Sequence, residues 1–106
     1  MVNNRNYILI EVNENNQLQA QKYLISLGYI WNTGSFKKIL FTFKEKTCIC
    51  LYQDKHRDKL VKKMFCNETF YEEREHYKTL SNYTYLVFEK HFELQTLIEA
   101  KKLGLL

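Results

Sequence analysis

The sequence predicts a single α+β domain spanning residues 1–106 in the order β-α-β-β-β-α-β-α, with a mostly antiparallel sheet and helices mainly on one face. Three observations predict it. Short stretches alternate apolar residues at period two, as half-buried strands do. Longer stretches repeat apolar residues at three and four, as amphipathic helices do. The connections between the middle strands are too short for a crossover, which makes them antiparallel neighbours.

Residues 6–12 read as the first strand. Ile8, Ile10 and Val12 fall on one face and Leu9 on the other, so the strand is expected to be covered on both sides. Residues 13–16 hold several N-cap asparagines. A helix follows to about Leu27, with Ala20, Tyr23, Leu24 and Leu27 on its apolar stripe. Gly28 stands where a left-handed C-terminal cap belongs, and Tyr29 can pack back on the last turn.

A meander is expected next: strands at 29–31, 36–43 and 47–52, with turn chemistry at Asn32, Thr33, Gly34 and Ser35 and a polar tip at Lys44, Glu45 and Lys46. In the last of these strands Ile49 and Leu51 oppose Cys48, Cys50 and Tyr52. Asp54 is expected to cap a second helix running to about residue 65, with a stripe of Leu60, Val61, Met64 and Phe65. Residues 67–78 read equally as helix after a break at Asn67 or as loop. A fifth strand is expected at 83–88, and a last helix from about 93 to 103, closed by Gly104.

Composition narrows the function classes. At 45% hydrophobic and 15% aromatic the chain is no disordered tail. No window has the roughly 18 uninterrupted apolar residues of a membrane helix, so no membrane association is expected. The three cysteines (Cys48, Cys50 and Cys66) are an odd number without a Cys-x-x-Cys pair. Residues 1–6 are polar and lack the apolar core of a secretory leader, so free thiols in a cytoplasm are expected. The net charge of +4 is modest but unevenly spread. Residues 37–63 hold nine cations against three carboxylates, a net of +6, whereas 64–75 carry −3. Such polarity steers an acidic partner.

The residues offer five constellations. Cys48, Cys50, Cys66, His56, His76 and His91 include zinc-ligand types, but the spacing suits no common site. Cys66 with His76 or His91 is a conceivable nucleophile and base, yet no Gly-rich strand-turn-helix or helix N-terminus surrounds any cysteine. Glu72, Glu73, Arg74, Glu75 and His76 form a titratable cluster in which Glu72 and His76 would share a helix face; it reads best as a solvated acidic face. Basic strands carrying Trp31, Phe36 and Tyr52 have the cations and rings of a single-strand nucleic-acid platform. The abundance of Tyr suits a protein interface, with Tyr7, Tyr29, Trp31, Tyr71 and Tyr77 as candidate surface rings.

The stretch Leu24-Ile25-Ser26-Leu27-Gly28-Tyr29-Ile30-Trp31 resembles an element of small accessory proteins of tailed bacteriophages, in which an N-terminal strand and a helix ending Leu-Gly-Tyr-x-Trp precede a strand meander. The Asn-, Lys-, Tyr- and Ile-rich, Pro-free composition is similar to that of A+T-rich phage genomes. The likeness covers about the first half of the chain and transfers no catalytic residue. It implies a protein made in the cytoplasm of an infected bacterium that binds and inhibits or redirects a host protein, including a component of antiphage defence.

The reading that follows is a non-enzymatic binding protein without cofactor or metal. Its partner-binding residues are expected to be Lys37, Lys38, Lys59, Lys62 and Lys63, with Trp31 as aromatic anchor. The partner is expected to be a bacterial host protein, itself acidic or nucleic-acid-binding. The alternative is direct RNA or DNA binding through the basic 37–63 region, and a third class is a small nuclease or toxin using Glu72, Arg74 and His76. Edge strands and the Leu105-Leu106 end raise a homodimer as a further arrangement.

Overall fold

A computed structural model describes residues 5–32 and 45–89, together with residues 96, 98, 99, 101, 102 and 104. The described strands are β1 (Tyr7–Val12), β2 (Ile30–Trp31), β3 (Thr47–His56), β4 (Lys59–Asn67) and β5 (Tyr83–Val87). The helices are α1 (Gln17–Ser26), α2 (Glu68–Glu72) and α3 (Arg74–Tyr77). Thr96, Ile98, Glu99, Lys101 and Lys102 are helical, and Gly104 takes a φ of +74°, as expected of the residue closing a last helix.

The strands form one sheet in the order β2-β4-β3-β1-β5. The long pairings, β1 with β3 and β3 with β4, are antiparallel; β1 with β5 and the short β2 with β4 are parallel. The α+β class and the mostly antiparallel sheet agree with the sequence reading. The element order does not: among the described residues it runs β-α-β-β-β-α-α-β, and two of the expected elements fall elsewhere.

The helix expected over residues 54–65 is strand. β3 runs past Tyr52 to His56, and Arg57 and Asp58 turn the chain with φ of +49° and +65°. β4 then pairs with β3 from Lys59 opposite His56 to Asn67 opposite Cys48. Two positive φ values at the centre of a two-residue turn match the twist of a hairpin. The apolar residues at 60, 61, 64 and 65 fit a helical stripe, but a long ladder of backbone bonds with β3 overrides that local pattern. Asp54 caps nothing; it sits between the cations of Arg5 and Lys63 at 3.2 and 3.4 Å.

The meander is also different. β3 has β1 and β4 as its two neighbours, and β2, of two residues, lies parallel to β4. The strand expected at 36–43 lies outside the described residues. Residues 67–78 resolve into α2 and α3, with the Asn67 side chain accepting from the Thr69 N–H at 2.9 Å as an N-cap.

The sheet is covered on both faces. Ile8, Ile10, Val12, Ile49, Leu51, Met64 and Leu86 form the first core with Ala20 and Leu24 of α1, together with Tyr29 and Trp31. Leu9, Cys48 and Cys50 form the second core under Phe70 of α2. The helices expected mainly on one face are thus divided: α1 covers one face, and the short α2 and α3 cover the other. Around the second core runs a closed circuit of six rings: Tyr7 stacks on Tyr83 at 4.7 Å, followed by Tyr77, Phe70, Phe65 and Tyr52 and back to Tyr7, with neighbouring centroids 5.0–6.1 Å apart. Such pairs add about 0.5–1.5 kcal/mol each beyond burial.

Local signals fix the ends of α1. Asn13 accepts from the N–H groups of Asn15 and Asn16, and its own N–H donates to the Asn16 side chain, so an asparagine turn starts the helix. At the other end Gly28 takes a φ of +98°, its N–H bonds the Ile25 carbonyl, and the Tyr29 N–H reaches back to Leu24. That is the pattern of a Schellman cap. A Cβ on Gly28 would meet only the end of the Lys62 side chain at 3.8 Å, an ordinary contact. The cost of Gly28→Ala is therefore conformational, about 1–2 kcal/mol. Urea titration should show a lower midpoint with an unchanged slope.

Candidate macromolecular interface

The β3–β4 hairpin is longer than the sheet that holds it. β1 pairs with β3 only as far as Leu51, and β2 touches β4 only at Lys63 and Met64. Beyond these, residues 52–62 pair only within the β3–β4 hairpin among the described residues. They form a two-stranded arm projecting from the end of the sheet at which β1 begins.

The root of the arm is tied down. Arg5 bonds Asp54 and places its guanidinium 5.1 Å from the centre of the Tyr52 ring, while Lys63 approaches Asp54 from the neighbouring strand. The tip is open. Lys55, Arg57, Asp58 and Lys59 are exposed, and Leu60 shows 67% of its surface to solvent. Lys55 and Asp58 are 3.9 Å apart but fully hydrated, so their pairing contributes little. Arg57 and Lys59 have no carboxylate in ion-pair range among the described residues. The tip thus presents one large apolar side chain among cations on a protrusion, a candidate contact surface.

The residues singled out in the sequence fall in different places. Trp31 is buried in the first core at 2% exposure, so it cannot act as a surface anchor; pairing of β2 with β4 draws it inward beside Met64. Lys37 and Lys38 lie outside the described residues. Lys59 is on the arm. Lys62 and Lys63 point to opposite faces, because neighbours on a strand alternate. Lys62 donates to the Leu27 carbonyl at 3.0 Å and so caps the C-terminus of α1, while Lys63 serves Asp54. The described lysines therefore do not form one basic face. Lys55, Arg57 and Leu60, which the arm brings together at its tip, were not singled out as binding residues in the sequence. Leu60 had been placed in the stripe of a helix, and an Arg-Asp turn lacks the Asn-Gly signal that announces this hairpin.

The alternative constellations do not assemble. Cys66 packs in the first core, its thiol donating to the Cys48 carbonyl at 3.3 Å, whereas His76 is exposed on α3 beside the second core; His91 is outside the described residues. The backbone breaks at Glu73, between α2 and α3, so Glu72 and His76 do not share the face of one helix. Arg74 lies 4.2 Å from the Tyr71 ring centre and donates to the Tyr71 carbonyl. No group of three potential metal ligands occurs among the described residues. Of the candidate surface rings, Tyr29 is buried; Tyr7, Tyr71 and Tyr77 are half-buried around the second core.

The buried thiols are held protonated. Burial pushes Cys48 up to about 12, against the opposing effect of its bond to Tyr85, and burial likewise raises Cys50 and Cys66. Tyr85 is raised by burial and by donating to the Glu11 carboxylate. None of these is a nucleophile at neutral pH. No family model, no curated protein and no solved structure matches the chain.

These thiols set a pH dependence. A folded-state value near 12, above the ordinary 9.0, means that unfolding releases a proton in the interval between them. The contribution to stability is fully present below pH 9 and is lost as pH rises towards 12. Urea titrations at stepped pH should show that fall, with a shallower one in Cys48→Ala.

Proposed function

We propose that the chain works by binding and not by catalysis, holding a bacterial host protein through the tip of the β3–β4 arm and blocking or redirecting it. The exposed Leu60 between Lys55, Arg57 and Lys59 on a projecting hairpin carries this reading. The resemblance of residues 24–31 to tailed-phage accessory proteins supports a host protein as the target, including one of antiphage defence. The tip cations favour an acidic patch on that target, since opposite charges speed and orient encounter.

A two-stranded ribbon also fits a nucleic-acid groove. Two features favour protein. Asp54 and Asp58 sit within the arm, and Asp54 already occupies Lys63 and Arg5. Leu60 offers an apolar contact with no use on a phosphate backbone.

Leu60 is exposed, so Leu60→Asp should leave stability within about 0.5 kcal/mol. Immobilised wild-type chain should capture from bacterial lysate a protein that resists nuclease treatment and that Leu60→Asp captures about 30-fold less well, the loss of about 2 kcal/mol typical of an interface anchor. Recovery of nucleic acid alone, or equal capture by Leu60→Asp, overturns the proposal.

A further inference from the structure

We infer that β5 is a pairing edge for a second copy of this chain, joining two sheets into one across a two-fold axis. The direction of its backbone groups points to this. Tyr7 donates to the Asn82 carbonyl at 2.9 Å and Phe88 donates to the Glu11 carbonyl at 3.0 Å, which fixes the parallel ladder of β1 with β5. In such a ladder alternate residues turn towards the partner. The backbone groups of Thr84 and Leu86 therefore face β1, and those of Tyr83, Tyr85 and Val87 face outward. The Tyr83 N–H is taken by Leu80 at 3.2 Å. The N–H groups of Tyr85 and Val87, and the carbonyls of Tyr83, Tyr85 and Val87, have no hydrogen-bond partner among the described residues.

Among the described residues this edge carries none of the usual protection. Exposed edges are blunted by short strands, lysines, prolines or bulges. The opposite edge of the sheet shows two of these devices: β2 has only two residues, and the β4 strand beyond it carries Lys59, Lys62 and Lys63. β5 reads Tyr-Thr-Tyr-Leu-Val, five residues without charge or proline, and Val87 is 41% exposed.

The free groups are self-complementary about Tyr85, which is why the occupant is a second copy. In antiparallel pairing each Tyr85 exchanges both main-chain bonds with its counterpart, and each Val87 N–H donates to the opposite Tyr83 carbonyl. Glu89 then lies opposite Ser81, so no like charges meet. The axis is perpendicular to the sheet, leaving the two β3–β4 arms at opposite ends of the joined sheet. The dimer presents two copies of the docking tip, and this inference stands whether or not the tip binds a host protein.

Val87→Pro tests it, because proline removes an outward N–H that the β1 ladder does not use. Val87→Lys, a milder edge charge, serves if the proline variant fails to fold. Light scattering coupled to size exclusion should give wild type and Leu60→Asp twice the chain mass, and the folded Val87 variant the mass of one chain. Hydrogen exchange at the Tyr85 and Val87 amides should slow as wild-type concentration rises. A wild type that stays monomeric to millimolar concentration, a folded Val87 variant that stays dimeric, or a dimer whose Tyr85 and Val87 amides gain no protection overturns the inference.

Discussion

Two interior strands, β1 and β3, are apolar on both sides, and the rest of the molecule is arranged to cover them. Ile8, Leu9 and Ile10 are consecutive and fully buried, as are Cys50 and Leu51 of the neighbouring strand. Alternation sends Ile8, Ile10 and Leu51 to one face and Leu9 and Cys50 to the other. Burial of one such Ile or Leu contributes about 1.5–3 kcal/mol, so neither face can stay open to water. The fold must therefore supply two covers, and it does so with different materials.

The first cover is an ordinary amphipathic helix. α1 lays Ala20 and Leu24 on the aliphatic face, stops at a glycine cap, and has its terminal carbonyl closed by Lys62 from β4. The second cover is too short to be a helix of that kind. α2 and α3 together supply Phe70 and Tyr77, which complete a circuit of rings begun by the strands. The tyrosines in that circuit bring polar tips to the rim of an apolar patch, and Tyr85 beyond it finds Glu11 and Cys48. Both covers end at the body of the sheet. The β3–β4 arm lies past them, which is why its tip keeps an exposed leucine that no core claims.

How much of this was legible in the sequence follows from where the information resides. β1 was legible because its two-faced apolar run is local. The cap at Gly28 was legible because positive φ narrows the choice of residue. The hairpin was not, since Arg57 and Asp58 take left-handed conformations without glycine, and the stripe at 60, 61, 64 and 65 has helical spacing. Only the ladder with β3, a non-local fact, decides for strand. The error propagated to the site. A helix over 54–65 would have put its lysines on one solvated flank, whereas a strand sends Lys62 and Lys63 to opposite faces and carries Leu60, on the face of Met64, out past the covers. Trp31 was misplaced for the same reason: its burial depends on β4 being a strand for β2 to join.

The proposed binding function rests on an arm that the cores leave free, while the titratable and nucleophilic side chains that drew notice in the sequence and are described are buried, paired or scattered. The most direct measurement is the amide hydrogen-exchange footprint of the chain in complex with the host protein it captures. The account predicts slowed exchange concentrated in residues 52–62, with α1 and the ring-lined face unchanged. Protection centred on α1, or on α2 and α3, with the arm unaffected, would contradict it.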